Sequence, residues 1–446
     1  MKSRIPAELR RLAEIFPCKL YAVGGFVRDT LLGYPNHDID LAGCASPERV
    51  INALKGSEFS VAVGSKKLFT LIIKGENSYE YTSFRVDNYS VGHRPDNVKR
   101  TRSIKLDASR RDFTVNALYY DIKNDKVLDF FNGLTHLKDK MIVTPRDPNL
   151  VFAEDGLRLM RLARFASALN FAISEETMLG AKNNAHLIKD ISPERIRDEL
   201  DRILVGDLAY GAKSAQYRGI DMLYEMGVLD IILPEIAIGH GMMQRPDYHL
   251  YDVYTHTLMA VYYSDPSIRL AALMHDVAKP YCMRTNGKYS GHDKEGERLT
   301  KKILTRLRYP KKTIERVSRL VGIHMFNLKY DCSTTTIRRF IIKNQDILKE
   351  YALLNEADHK AHGTKRDLPL SSEAVMKEYE KMKEEKVPFS VSELLVTGDD
   401  IVKMSNIPET KRSIALNKLL LDACLENSNL LTREKQLEYL RNLKGE

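Results

Sequence analysis

The stretch Tyr21–Gly43, YAVGGFVRDTLLGYPNHDIDLAG, decides how the first part of the chain is read. Its apolar opening has the composition of a short strand and runs into Gly24-Gly25. FVRDTLLG then has helical spacing, with Gly33 as its C-terminal stop. Glycines at a strand-to-helix junction allow close backbone approach, and a helix N-terminus offers unpaired N–H groups to a phosphate. Taken alone, a Gly-Gly pair is more often a plain turn. HDIDLAG carries more weight, because Asp38 and Asp40 flank Ile39 in an extended run and so point to one face. Two such carboxylates repel unless a cation lies between them, and a hard divalent ion such as Mg²⁺ suits them. The competing reading is a solvated edge strand with incidental acids. In SYEYTSFRV the alternation puts Glu80 on the face of Thr82 and Phe84, opposite Tyr79 and Tyr81. Glu80 joins the acidic pair if its strand lies beside theirs.

Working outward, the chain is mixed up to about Lys140: KLYAVGG, HDIDLAG, FTLIIKG, YEYTSFRV, NALYYDI and VLDFF read as strands among helical pieces. Beyond Asn149 nearly everything has helical periodicity, beginning with VFAEDGLRLMRLARFASAL read as one helix. The fold class is therefore α+β, a mixed-sheet head followed by an all-α remainder. At 446 residues the chain exceeds one ordinary core. With 43% hydrophobic and 29% charged residues it has the composition of a globular protein, not a disordered one. A net charge of +9 permits a polyanionic partner and equally fits a plain basic surface. Five scattered cysteines without CxxC spacing make neither a zinc knuckle nor a disulfide framework. With no apolar leader and no run of about 20 apolar residues, a cytoplasmic protein with no membrane association is expected.

GG-x-VRD, then D-x-D, RRDFTVNAL (Arg110–Leu118), EDGLR (Glu154–Arg158) and SPERIRDEL (Ser192–Leu200) follow one another in order. This series resembles the motifs of the class II tRNA nucleotidyltransferase/poly(A) polymerase family, the CCA-adding enzymes and their relatives. The resemblance implies a polymerase β-like nucleotidyltransferase head and template-free transfer, in which an RNA 3′-hydroxyl attacks the α-phosphate of CTP or ATP and pyrophosphate leaves. It implies that Asp38 and Asp40 are catalytic and hold Mg²⁺, beside which Glu80 is expected as a third catalytic acid from its place on the strand, and that Gly24 and Gly25 cradle the triphosphate. Arg28 would meet phosphate or tie down Asp29. Arg111 is implied for phosphate, and Asp112 and Asn116 for sugar and loop positioning, although an isolated RRD run is more often a solvated face. Asp155 and Arg158, at i and i+3 of the expected helix, are implied as a protein template, with Arg161 on the same ridge. A carboxylate only accepts and a guanidinium only donates. Cytosine and adenine each show an amino donor beside a ring-nitrogen acceptor, whereas uracil and guanine would turn a carbonyl toward the carboxylate. An isolated Asp–Arg pair at that spacing is usually a surface ion pair. SPERIRDEL reads as scaffold, and the basic run between Glu80 and Arg110 as the family's flexible loop.

Beyond Pro246 a second set appears: His256, His275-Asp276, His292, His324 and Asp358. Histidine and carboxylate ligands on separate helices can enclose a divalent ion that activates water against a phosphoester. The order H…HD…D resembles the HD phosphohydrolase superfamily. It implies His256, His275, Asp276 and Asp358 as ligands of a further divalent metal, with His292 and His324 for another ion or the phosphate. A lone histidine on an apolar helix is usually a core residue; six candidates in order are less easily explained so. The expected division is 1–145 nucleotidyltransferase head, 146–235 helical nucleotide-selecting region, 245–365 HD domain and 366–446 helical tail that binds tRNA. In the tail, PETKRSIALNKLL lacks the glycines of the family pattern and reads as a basic helix with Lys411, Arg412 and Lys418. The expected partners are the tRNA 3′ end, CTP and ATP, with no obligate protein partner. An A-adding or CC-adding enzyme, a poly(A) polymerase, a metal-dependent HD phosphohydrolase and a non-catalytic RNA-binding protein are the rival readings.

Overall fold

A computed structural model describes residues 4–36, 38–88, 97–326, 331–363, 370–397, 399–400, 416–417, 419–426 and 430–442. Residues 89–96 of the expected flexible loop, and Lys411, Arg412 and Lys418 of the expected basic helix, lie outside them. The chain divides into two compact units, Met1–Ile238 with Arg306–Tyr309, and Gly239–Thr305 with Pro310–Glu446. No helix among the described residues is long and apolar enough to cross a membrane.

Among the described residues of the first unit, nine strands lie between Tyr21 and Leu128: β1 (Tyr21–Val23), β2 (Asp40–Gly43), β3 (Ser60–Ser65), β4 (Thr70–Lys74), β5 (Ser78–Ser83), β6 (Arg85–Asn88), β7 (Asn97–Arg100), β8 (Tyr119–Asp121) and β9 (Lys126–Leu128). Seven of them form a mixed sheet in the order β3-β4-β5-β2-β1-β8-β9, while β6 and β7 pair as a separate ribbon. β2 runs antiparallel to β1 with Val23 opposite Asp40, and parallel to β5 with Asp40 opposite Glu80. Leu9, Leu12, Leu41, Leu71, Ile73 and Tyr81 fill the core on one side; Tyr21, Val23, Phe84 and Tyr119 pack the other. YEYTSFRV is not one strand but breaks at Phe84, between β5 and β6. SVAVGS, which forms β3, escapes the sequence pattern because its residues are mostly exposed on an edge strand.

The stretch from Val151 to Leu169, read as one helix, is two. Pro148–Glu154 ends at Asp155, whose backbone is extended (φ −151°, ψ 104°), and Leu157–Leu169 begins after Gly156. Asp155 Oδ1 accepts from the Leu157 amide at 3.1 Å, which caps the new helix. A Cβ on Gly156 would lie 2.8 Å from the Leu187 carbonyl oxygen, so the corner closes only around glycine. The second helix is buried along most of its length and packs against Pro193–Leu204 and Ala215–Glu225.

In the second unit the helix Val253–Tyr263, capped by Asp252 on the Thr255 amide at 2.6 Å, packs along Leu348–Ala361. Arg269–Met274 ends at His275, His292 opens the helix His292–Arg306, and His324 follows Lys311–Ile323. Histidines and acids are thereby delivered from helix ends as well as helix faces.

Candidate active site and metal centre

The register of β1, β2 and β5 assembles the first site. Because Val23 pairs with Asp40, the turn at Gly24 sits against that carboxylate. Gly24 has φ +71° and ψ −134°, a conformation that glycine adopts readily and other residues rarely do. A Cβ there would meet Arg111 Nη1 at 3.3 Å and Asp40 Oδ2 at 3.9 Å. Gly25 is the first residue of the helix Gly25–Leu32. Asp38 and Asp40 are exposed while Ile39 between them is buried, the alternation expected of an extended segment. Although Asp40 is exposed to solvent, desolvation of its carboxyl by the surrounding protein comes first, and the charges of Asp38 and Glu80, with Arg111 opposing, help push it up to about 6. Three mutually repelling carboxylates with one guanidinium nearby suit a divalent cation. Among the described residues, the groups whose ligand atoms lie within 4.8 Å of one another are all in the second unit. The carboxylates of Asp38, Asp40 and Glu80 are not drawn that close.

Arg28 departs from the phosphate expectation. It is 3% exposed, and Nε donates to Asp29 Oδ1 (2.8 Å), Nη1 to Asn116 Oδ1 (2.5 Å) and Nη2 to Tyr210 OH (2.6 Å). It therefore ties down Asp29, the other role considered for it. Asn36 extends the chain of bonds, donating to Asp29 Oδ2 at 2.7 Å and accepting from the Asp38 amide at 2.9 Å. Arg28 thus braces the loop that carries Asp38. Arg111 is better placed for an anion: it lies over Gly24, with Nε donating to Tyr119 OH at 3.1 Å. Asp112 is consumed in positioning, since Oδ2 accepts from Arg161 Nε and Nη2 (2.8 and 2.6 Å) and Oδ1 from Asn116 Nδ2 (3.1 Å). Burial opposes its ionisation, but Arg161 and Asn116 hold its carboxyl well below the usual range.

Asp155 and Arg158 do not share a helix face and do not pair with each other. Arg158 is buried, and its guanidinium donates to the Val151 carbonyl (2.8 Å), Glu154 Oε2 (2.8 Å) and the Arg110 carbonyl (2.6 Å). Asp155 Oδ2 accepts instead from Arg195 Nη2 at 2.7 Å. The Asp-Gly dipeptide was the available signal for this break. Arg195, from the segment read only as scaffold, is the guanidinium that sequence reasoning missed. Arg161, Arg164 and Arg28 also crowd the Phe165 ring, 5.1, 4.1 and 5.0 Å from its centroid.

The second site is tighter. His256 Nε2 lies 2.9 Å from Asp358 Oδ1 and 3.3 Å from Asp276 Oδ2, and His275 Nε2 lies 3.2 Å from Asp276 Oδ2. On the other oxygen, Asp276 Oδ1 is 3.2 Å from His292 Nε2 and 3.9 Å from His324 Nε2. All six expected residues converge. Each of the four histidines holds its Nδ1 against a backbone carbonyl: Ala361, Ala272, Tyr289 and Val321, at 3.2, 2.7, 2.9 and 2.7 Å. A carbonyl only accepts, so Nδ1 carries the proton and Nε2 is left as a ligand atom. Burial opposes protonation of His275, but Asp276 and Asp358 carry it up to about 10, so the two carboxylates favour a positive charge at Nε2, which a metal ion would supply in place of the second proton. Asp276 Oδ2 lies 2.6 Å from Lys279 Nζ yet makes no well-directed hydrogen bond. A buried carboxylate oxygen left so is what a metal ion would satisfy. Lys279, which also donates to Gln244 Oε1 at 2.6 Å, was not foreseen in the sequence.

Compared with known proteins, residues 20–143 match the poly(A) polymerase head domain, 170–238 the domain described as "Probable RNA and SrmB- binding site of polymerase A", and 248–359 the HD domain. The first two matches are to parts of poly(A) polymerases and the third to an HD domain, in that order along the chain. It is 37% identical over 227 residues to a CCA-adding enzyme of Lactococcus lactis, a match covering 49% of this chain and 56% of that one. A CCA-adding enzyme of Limosilactobacillus fermentum is 43% identical over 188 residues, 42% of this chain and 46% of the relative. The chain thus spans about half the length of the curated relatives it matches. The fold is similar to that of the Bacillus stearothermophilus CCA-adding enzyme in complex with CTP (TM-score 0.66, 22% identity, 97% of this chain and 95% of that one). It is also similar to the Thermotoga maritima CCA-adding enzyme complexed with tRNA (TM-score 0.58, 19% identity, 98% and 96% covered).

Proposed function

We propose that the protein builds or repairs the 3′-terminal CCA of tRNA from CTP and ATP, with attack of the RNA 3′-hydroxyl on the α-phosphate and release of pyrophosphate. The observation that carries this reading is the register of β1, β2 and β5, which sets Gly24 beside Asp40 and Glu80 opposite it. Gly24 lets the triphosphate approach the backbone, and Arg111 beside it takes up phosphate charge. Asp38, Asp40 and Glu80 would hold Mg²⁺, which supplies a lowered hydroxyl pKa and charge stabilisation on the leaving oxygen. Arg28, Asp112 and Asn116 position the carboxylate loop and the arginines. Asp155 accepts from the amino group of cytosine or adenine, and a guanidinium, that of Arg195 or Arg158, donates to the ring nitrogen. This reading rests on named relatives that act as CCA-adding enzymes and on the order of the motifs. It carries with it the division at 1–145, 146–235, 245–365 and 366–446, a cytoplasmic location, and RNA affinity that falls with salt.

The test offers tRNA lacking CCA, ending in C or ending in CC, each with labelled CTP or ATP. Incorporation of both nucleotides in order is expected, and Asp38→Ala with Asp40→Ala abolishes it. Absence of CTP incorporation on all three would leave A-addition or polyadenylation. The convergence of His256, His275, Asp276 and Asp358 favours a second activity in the same chain, metal-dependent phosphoester hydrolysis. There His275→Ala removes hydrolysis of a phosphoester while nucleotide incorporation persists.

A further inference from the structure

Two histidines beside the HD cluster are treated differently by the fold. The four histidines of that cluster spend Nδ1 on a carbonyl, but the Nδ1 atoms of His249 and His362 are buried without a hydrogen-bond partner. Their rings meet edge to face with centroids 4.5 Å apart, and the His256 ring lies 4.8 Å from His249 and 5.5 Å from His362. One ring nitrogen from each of the three lies within 4.8 Å of the other two. The arrangement is built in. The Leu250 amide donates to the His362 carbonyl at 2.9 Å, and Gly363 (φ +69°) sits so close that a Cβ would be 2.6 Å from Tyr251 Cε2. His249 and His362 also line a cavity of about 240 Å³ shared with Asp276, Lys279, His292 and Asp358, so an ion from solvent has a way in.

We propose that His249, His256 and His362 form a second, all-nitrogen metal seat for a borderline divalent ion such as Zn²⁺ or Co²⁺. Three imidazoles suit such ions, whereas the mixed histidine and carboxylate set of His256, His275, Asp276 and Asp358 accepts Mn²⁺ as well. His256 Nδ1 faces the Ala361 carbonyl, so its contribution to either seat is Nε2. One imidazole nitrogen ligates one ion. The two seats are therefore alternatives at His256, and an ion held by the three imidazoles withdraws that ligand from the HD centre. The inference does not depend on what the HD pocket hydrolyses.

Equilibrium binding to the full-length chain tests it, with Co²⁺ followed by its d–d absorption and Mn²⁺ by the resonance signal of the free ion. His249→Gln and His362→Gln are each expected to weaken Co²⁺ by at least about tenfold, the scale on which metal sites respond to lost support. Mn²⁺ binding is expected to persist in both, which also reports an intact pocket, and Asp276→Asn is expected to weaken Mn²⁺ in turn. Excess Co²⁺ should displace Mn²⁺ from the unaltered protein. Equal weakening of the two ions in both glutamine variants, or no weakening of Co²⁺ in either, overturns the inference.

Discussion

Gly24 and Gly25 are adjacent and identical in sequence, but the structure predicts opposite consequences of adding one methyl group to each. Gly24 has φ +71° and ψ −134°, so an alanine there forces a sparsely populated backbone conformation. Strain of that kind costs about 1–3 kcal/mol. For a unit of this size that corresponds to a loss of roughly 2–12 °C in Tm. The new Cβ would also stand 3.3 Å from Arg111 Nη1, tight enough to shift the guanidinium proposed to meet phosphate. Losing a hydrogen bond to a charged group removes roughly 1.5–3 kcal/mol, on the order of a 10- to 100-fold fall in kcat/KM for CTP and ATP. At Gly25 the added Cβ makes an ordinary contact, 3.6 Å from Arg28 Nη2, at the start of a helix. We predict that Gly25→Ala changes stability by less than about 0.5 kcal/mol, the range of changes away from strained sites. The assays are thermal unfolding and steady-state nucleotide incorporation. If Gly25→Ala lowers Tm and kcat/KM as much as Gly24→Ala does, the assignment of the turn and of Arg111 is wrong.

Three further predictions rest on separate contacts. Arg158→Ala takes the guanidinium from the Val151 and Arg110 carbonyls, while Glu154 keeps Arg146 Nη2 at 2.8 Å, and is expected to cost roughly 1–3 kcal/mol, whereas Arg195→Ala breaks a more open pair worth about 0–1 kcal/mol. Arg195→Ala should instead blur the choice of C and A, read as misincorporation of UTP or GTP; the reverse ranking of the two variants counts against the positions described. Asp112 has its folded pKa held below the ordinary value, so its stabilisation is complete above the unfolded pKa of about 4 and is lost as pH falls through the folded value. The fall in Tm from pH 5 to pH 3 should therefore be smaller in Asp112→Asn than in the unaltered chain, and equal slopes would contradict the pairing with Arg161. His275→Ala is expected to reduce bound Mn²⁺, measured by equilibrium dialysis, without altering nucleotide incorporation, and loss of both would tie the two sites together.

The sequence by itself determined the kinds of chemistry and their order along the chain. Strand composition around Tyr21–Val23, the stop at Gly33 and the alternation of Asp38, Ile39 and Asp40 are local properties, readable from neighbours a few residues apart. The six HD residues were likewise legible, because their residue types and order carry the signal. Tertiary structure decided which groups meet. Glu80 joins the acidic face only because β5 runs parallel to β2 in register with Asp40, a pairing between segments about forty positions apart that alternation within either cannot specify. Arg28 and Arg111 look equally suited to a phosphate in sequence, yet one is locked by Asp29, Asn116 and Tyr210 and the other lies over the Gly24 turn. Helical spacing joined Asp155 to Arg158, but the capping bond to Leu157 and the close carbonyl at Gly156 break the helix between them. The partner that results, Arg195, arrives from another helix. Periodicity reports the face a residue would occupy if its element continued, and only packing shows where the element stops and what its charged groups then reach.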